Sequence, residues 1–151
     1  MKVLIIMGSQ TDDAVMQEAS KWLNWFGIEN NMEVASAHRN PDKVKDIIVN
    51  AKSDGYGAVI AAAGMAAALP GVCAAYTSLP VLGVPLEGGL PGGIDALYSI
   101  VQMPAGLPVG TLAVGKAGAR NAAVMAARIF ALSDSGIAAK LEEFKARDYK
   151  I

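Results

Sequence analysis

Short apolar runs alternate with helical patterns five times along this chain, and this alternation restricts the fold more than any other feature. Five runs have the length and composition of buried strands: residues 3–7, 32–36, 58–62, 80–84 and 109–114. Apolar residues recur at helical spacing in six segments: residues 11–26, 40–54, 66–77, 94–101, 117–132 and 135–149. The alternation predicts right-handed crossovers and a parallel five-stranded sheet with helices on both faces, a three-layer α/β/α sandwich.

The length of 151 residues suits one domain. We expect residues 1–132 to form the α/β core. The segment 135–149 follows the completed sheet, so we expect this extra C-terminal helix to contact a neighbouring subunit. The aromatic residues Trp22, Trp25 and Phe26 are expected in the core or an interface. Five methionines at apolar positions are expected to pack internally: Met7, Met16, Met65, Met103 and Met125.

The chain carries more apolar residues than a domain of this size buries alone. Apolar residues make up 53% and charged residues 18%, against about 25% charged on average. The excess surface must enter a membrane or be covered by other copies of the chain. No charge lies between Asp54 and Glu87, but Pro70, Pro80 and Pro85 break that run into pieces too short to span a bilayer. We therefore expect a cytoplasmic homo-oligomer that does not enter a membrane.

Charge and cysteine content exclude other classes of protein. The formal net charge is −1, which gives no basic surplus for binding nucleic acid. A single cysteine, Cys73, cannot form an intramolecular disulfide. One cysteine and one histidine cannot make a tetrahedral Cys/His zinc site within the chain.

Ligands of open parallel sheets bind at the carboxyl ends of the strands, so the loops there are the candidate ligand-binding segments. The first loop holds Ser9, Thr11 and Asp12, where hydroxyls and free amides at a helix start suit a phosphate and a carboxylate suits a ribose hydroxyl. Simple N-capping by Ser9 or Thr11 explains the same residues equally well, and Thr11 or Asp12 can cap the following helix.

The second loop contains the only histidine, in the run Ser36-Ala37-His38-Arg39. An imidazole transfers protons near neutral pH, and a guanidinium grips phosphate through two hydrogen bonds. The alternative is a His38 bonded to backbone and an Arg39 paired with Asp42.

The three remaining loops are less specific as candidate sites than the first two. The third, residues 63–71, offers no charge and suits a flat heterocycle or a small apolar gas, although simple packing explains it too. The fourth, residues 87–93, is rich enough in glycine to be a lid or a subunit contact. The fifth, residues 115–121, adds Lys116 and Arg120 at a helix start. Neither a Gly-x-Gly-x-x-Gly strand–helix turn nor a Gly-Lys-Ser/Thr loop occurs, which disfavours dinucleotides and nucleoside triphosphates.

Several runs together resemble the N5-carboxyaminoimidazole ribonucleotide mutase (PurE) family of purine biosynthesis. They are residues 7–12, 36–42, 69–71, 82–85, 99–104 and 115–122, and the resemblance extends from residue 3 to about 132. It implies a flavodoxin-like fold, an octamer with sites near subunit interfaces, and no metal or organic cofactor. The implied reaction moves a carboxyl group from the exocyclic N5 to C4 of the imidazole ring, with carbon dioxide as a bound intermediate.

The resemblance also implies roles for individual residues. Four are expected to bind the 5'-phosphate: Ser9, Thr11, Ser36 and Arg39. Asp12 is expected to bind a ribose hydroxyl and His38 to shuttle the proton. Gly64 and the turn Leu69-Pro70-Gly71 are expected to shape the pocket for the base and carbon dioxide.

Two loops depart from the family's usual pattern. The family usually has Gly-Gly-Ala-Ala-His-Leu-Pro-Gly in the third loop, where this chain has Met65 for a glycine and Ala68 for the histidine. The fourth loop is usually Gln-Ser-x-x-Leu-x-Gly, and here it begins at Glu87 with two glycines. These changes open the possibility of reduced or altered activity. Arg39 stands where the form of the family that uses free carbon dioxide has lysine, which favours the mutase over that direct carboxylase.

Two other classes of protein fit parts of the pattern. A signalling receiver domain would use Asp12, Asp13 and Lys116, but it needs an aspartate where the third strand ends in Ala61-Ala62-Ala63. A flavin mononucleotide-binding module would need aromatic residues in the loops, and Tyr76 and Tyr98 fall on predicted helices instead.

Overall fold

The computed structural model describes all residues from 1 to 151 and contains a five-stranded, fully parallel sheet. The strands are β1 (Lys2–Met7), β2 (Asn30–Val34), β3 (Tyr56–Gly64), β4 (Val81–Leu86) and β5 (Gly110–Thr111). The helices are α1 (Asp13–Trp25), α2 (Pro41–Asn50), α3 (Leu69–Tyr76), α4 (Ile94–Val101), α5 (Gly115–Phe130) and α6 (Ser135–Ala146). The strand order β2-β1-β3-β4-β5 is that of flavodoxin-like folds, so the predicted fold class is confirmed.

Two apolar layers cover the sheet, one on each face. Alternate residues of β1 point to opposite faces, so Ile5 packs against α1 and α5 while Ile6 packs against α2 and α3. The first layer contains 22 buried residues and the second 17. Alanines fill much of the α5 side, which lets this long helix approach the sheet closely. The three-layer arrangement follows from a sheet with both faces apolar.

The last helix, α6, packs on its own subunit. The Phe144 ring lies 5.4 Å from the Trp22 ring, 5.6 Å from Trp25 and 5.3 Å from Phe26, measured between ring centroids. Asp134 begins the helix by accepting hydrogen bonds from the amides of Gly136 and Ile137. The expected core location of the aromatic residues is therefore confirmed. The predicted contact of α6 with a neighbouring subunit stays a prediction.

The predicted strand ends differ from the structure in several places, of which the fifth and second strands are the clearest. The fifth covers two residues, where the sequence predicted 109–114, because the chain leaves the sheet after Thr111 to meet the first turn of α5. There the carbonyl of Ala113 lies so close to Gly118 that no Cβ atom would fit. The second strand begins and ends two residues earlier than predicted, so Ser36 lies in the following turn.

Several predicted helices are shorter than expected; α2, for example, ends at Asn50, four residues early. α3 begins at Leu69, three residues late, because residues 65–68 form a tight turn instead, in which Met65 has a φ of 51°. α6 ends at Ala146 because Asp148 and Tyr149 have left-handed backbone angles. Asp12, one of the two residues predicted to cap α1, occupies its N-cap position, but its side chain forms no capping hydrogen bond. Ser9 caps a short 3₁₀ turn, Gln10–Asp12, that precedes α1.

None of the helices has both the length and the apolar character that crossing a membrane requires.

Candidate active site

A cavity of about 460 Å³ opens at the carboxyl ends of β1, β2, β3 and β4. It contains eight of the ten residues expected to form the site: Ser9, Thr11, Asp12, Ser36, His38, Arg39, Gly64 and Leu69. Eight further residues complete its wall: Gly8, Ala37, Ala63, Met65, Ala66, Ala68, Glu87 and Gly88. Six of them lie beside the predicted residues at the ends of β1, β2 and β3, whereas Glu87 and Gly88 lie after β4. Their position at the carboxyl ends of parallel strands was the available clue.

The loop after β1 is organised by hydrogen bonds among its own polar groups. The Ser9 hydroxyl accepts a hydrogen bond from the Thr11 amide at 3.3 Å and another from the Thr11 hydroxyl at 2.9 Å. The Ser9 amide donates to the Asp12 carboxylate at 3.1 Å. Burial raises the pKa of Asp12, while the bonds from Ser9 and Thr11 act in the opposite direction. The capping interpretation of Ser9 is therefore correct, and the same group still lines the cavity.

The loop after β2 presents the histidine and the arginine on one turn. The Ser36 hydroxyl accepts the Arg39 amide at 3.2 Å, and the Ser36 carbonyl accepts the Asn40 amide at 2.8 Å. His38 and Arg39 are exposed, and neither side chain forms a hydrogen bond or ion pair within the chain. The alternative in which Arg39 pairs with Asp42 is wrong. Both side chains are free to meet a ligand.

The loop after β3 supplies an apolar wall. Gly64 passes so near β4 that a Cβ atom there would lie 3.3 Å from the Leu86 carbonyl oxygen, which favours glycine. Ala66, Ala68 and Leu69 follow along the wall, and none of them has a polar side chain. Of the turn predicted to shape the pocket, only Leu69 lines it. Pro70 and Gly71 lie in the first turn of α3, away from the cavity.

Met65 contradicts the expectation that it packs internally. Its side chain is 61% exposed, and it lines the cavity from a backbone with positive φ. Met7 and Met16, by contrast, are fully buried as predicted. The difference follows from the backbone: the left-handed turn points residue 65 outward at the end of β3.

Of the loops after β4 and β5, only the first lines the cavity. After β4, Glu87 and Gly88 line the cavity, whereas residues 89–93 do not. After β5, Lys116 and Arg120 lie outside it. The Arg120 guanidinium forms an ion pair with Glu18 at 2.9 Å and stacks over Trp22 at 6.0 Å. The fifth loop therefore serves the contact between α1 and α5. No three His, Cys, Asp or Glu side chains come together in a group that could hold a metal ion.

Residues 2–150 match the family model described as AIR carboxylase. The chain therefore belongs to that family of enzymes. The family predicted from the sequence is thereby confirmed.

Curated relatives define the position within the family. The N5-carboxyaminoimidazole ribonucleotide mutase of Vibrio vulnificus is 52% identical over 145 residues, which cover 96% of this chain and 90% of the relative. The mutase of Haemophilus influenzae is 49% identical over 144 residues, covering 95% and 88%. The crystal structure of Treponema denticola PurE superposes with a TM-score of 0.86 at 28% identity, covering 97% of this chain and 90% of that one.

Proposed function

We propose that this chain is an N5-carboxyaminoimidazole ribonucleotide mutase, an isomerase of purine biosynthesis. It interconverts that nucleotide and 4-carboxy-5-aminoimidazole ribonucleotide. The observation that carries the proposal is the cavity itself, which an unpaired histidine and an unpaired arginine line together with the apolar residues Ala66, Ala68 and Leu69. Curated relatives with this activity match nearly the whole chain.

The polar half of the cavity binds the ribose phosphate. Ser9, Thr11 and Ser36 offer hydroxyl groups, and Arg39 offers a guanidinium that bonds a phosphate through two N–H groups. Asp12 accepts a hydrogen bond from a ribose hydroxyl. These groups lie at the ends of β1 and β2, so the phosphate lies there and the base extends towards β3 and β4.

The apolar half holds the base and the carbon dioxide. Breaking the bond between N5 and its carboxyl carbon releases carbon dioxide and leaves an electron pair on N5, which takes a proton from His38. Ring carbon C4 then attacks the carbon dioxide, and His38 removes the C4 proton. The proton count is unchanged over the cycle, so a single imidazole suffices. A wall of Gly64, Ala66, Ala68 and Leu69 excludes water while the gas is free.

The exposed apolar side chains support a homo-oligomer. Four of them lie on or just before α4. They are Leu90, Ile94, Tyr98 and Val101, which are 57%, 38%, 61% and 47% exposed. Such a surface on an acidic, charge-poor chain is covered by other copies of the chain. We infer that the copies form an octamer in the cytoplasm, and sedimentation at several concentrations measures the assembly.

The test is turnover of N5-carboxyaminoimidazole ribonucleotide by purified protein, beside an assay with aminoimidazole ribonucleotide (AIR) and bicarbonate. Conversion of the first substrate without bicarbonate supports the mutase. Activity in the second assay alone, dependent on carbon dioxide, would identify a direct carboxylase. Binding of the nucleotide without turnover would show an altered member of the family, and tight binding of flavin mononucleotide a different class of protein.

A further inference from the structure

We propose that Met65 closes the base end of the cavity and keeps the carbon dioxide intermediate from escaping. The inference rests on the proposed function and assigns a positioning residue to it. Met65 has a backbone φ of 51°, in a region that side chains other than glycine and asparagine rarely adopt. A strained backbone that persists at a ligand cavity indicates that the side chain is needed there.

The Met65 side chain reaches from the loop after β3 to the loop after β4. A Cβ atom placed on Gly88 would lie 4.0 Å from Met65 Cγ, and one placed on Gly89 would lie 3.4 Å from it. Because these two glycines have no side chains, the Met65 side chain packs directly against their backbone. The Asp95 carboxylate lies so close to Gly89 that no Cβ atom would fit there. Met65 bridges two loops whose ends frame the apolar half of the cavity.

Because Met65 is exposed, its side chain is accessible to a ligand in the cavity. Its side chain is 61% exposed although it lies beside the apolar wall of Ala66, Ala68 and Leu69. A flat heterocycle against that wall would have the thioether at its edge, between the ring and the solvent. The flexible, unbranched chain of methionine adapts to a ring and to the small volume left when the carboxyl group departs.

The position of Met65 separates its effect from phosphate binding. Arg39 and Ser36 lie at the end of β2, and Met65 lies at the end of β3. Shortening Met65 opens the base end to water and leaves the phosphate contacts unchanged. Carbon dioxide then escapes before C4 captures it, and AIR accumulates instead of the carboxylated product.

The test compares Met65→Ala and Met65→Leu with the unaltered protein. The measured quantities are kcat and KM for N5-carboxyaminoimidazole ribonucleotide, and the AIR released per carboxylated product formed. For Met65→Ala we expect the ratio of AIR to product to rise and kcat to fall by about ten-fold, with KM nearly unchanged. Met65→Leu restores an apolar chain of similar length and should return both quantities towards the original values.

A third variant, Met65→Gly, controls for the backbone. Glycine fits a positive φ without strain, so this variant should unfold at no lower temperature and still release more AIR. Val49→Ala removes an exposed apolar side chain from α2, outside the cavity, and should change nothing.

The outcomes separate this inference from the proposed function. An unaltered protein that converts the nucleotide, with the same release of AIR from Met65→Ala, would overturn the role of Met65 alone. A ten-fold rise in KM without extra AIR would also overturn it, because it would make Met65 a binding residue. An unaltered protein without turnover would overturn the proposed function, and this inference with it.

Discussion

The Arg39 amide donates a hydrogen bond to the Ser36 hydroxyl at 3.2 Å, and this bond closes the turn that carries the histidine. Because the turn is short, His38 and Arg39 enter the cavity from adjacent positions. The backbone thus places the proposed phosphate-binding guanidinium of Arg39 and the proposed proton-transfer imidazole of His38 at neighbouring positions of one turn. The arrangement leads to separate expectations for the two side chains.

His38→Asn should abolish turnover and leave nucleotide binding intact. Asparagine retains a polar side chain of moderate size, but it neither gives nor takes a proton near neutral pH. Steady-state turnover and calorimetric binding of the nucleotide check the two halves of the expectation. Unchanged turnover would remove His38 from the proton shuttle.

Arg39→Ala should chiefly weaken binding of the phosphate. Loss of hydrogen bonds to a charged group lowers affinity by about ten- to a hundred-fold. Arg128→Ala is the matched control, because Arg128 is exposed on α5 and does not line the cavity. The measurement is the dissociation constant for AIR beside that for its nucleoside. Equal weakening of both ligands would show that Arg39 does not contact the phosphate.

Phe144→Ala should destabilise the fold by about 3 to 5 kcal/mol, as is usual when a buried aromatic ring is removed. Phe144 is 3% exposed and contacts the rings of Trp22, Trp25 and Phe26. Urea unfolding followed by tryptophan fluorescence measures the loss. Leu132→Ala is the control, since Leu132 is 88% exposed. A change below about 1 kcal/mol for Phe144→Ala would mean that α6 contributes little to stability.

Glu18 should make the fold more stable at neutral pH than in acid. The hydrogen bond from Arg120, followed by its charge, lowers the pKa of Glu18 below its ordinary value of 4.5. The ionised form of Glu18 is therefore more favourable in the folded state than in the unfolded state. Its contribution is present above pH 4.5 and is lost as the pH falls through the lowered pKa.

Glu18→Gln tests this pH dependence. The variant should be less stable than the original chain near neutral pH, and the difference should shrink at an acidic pH well below the ordinary value of 4.5. Urea unfolding at both pH values gives the comparison. A difference that is the same at both values would show that the charge of Glu18 is not its source.

The sequence predicted those parts of the fold that depend on local patterns. Apolar runs such as residues 3–7 indicate a strand because they are buried on both faces whatever their neighbours are. The length of β5 depends on where the chain must leave the sheet to meet Gly118, which no local pattern records. The start of α3 depends in the same way on the left-handed turn at Met65.

The site was predictable because parallel strands bring their carboxyl ends to one edge. Ser9, His38 and Gly64 are far apart in the sequence, and the strand order alone brings them into one cavity. The outward position of Met65 was missed because an apolar residue in an apolar loop gives no sign of its backbone angle. The pairing of Arg120 with Glu18 was missed because it joins α5 to α1 across the sequence.

The most direct test of the account follows the carboxyl carbon itself. N5-carboxyaminoimidazole ribonucleotide labelled in its carboxyl group is incubated with the protein in unlabelled bicarbonate, and label in the C4-carboxylated product is measured. The account predicts that most product carries the label, because the proposed mechanism keeps carbon dioxide in the cavity between the two steps. Product that carries only carbon from bicarbonate would contradict it.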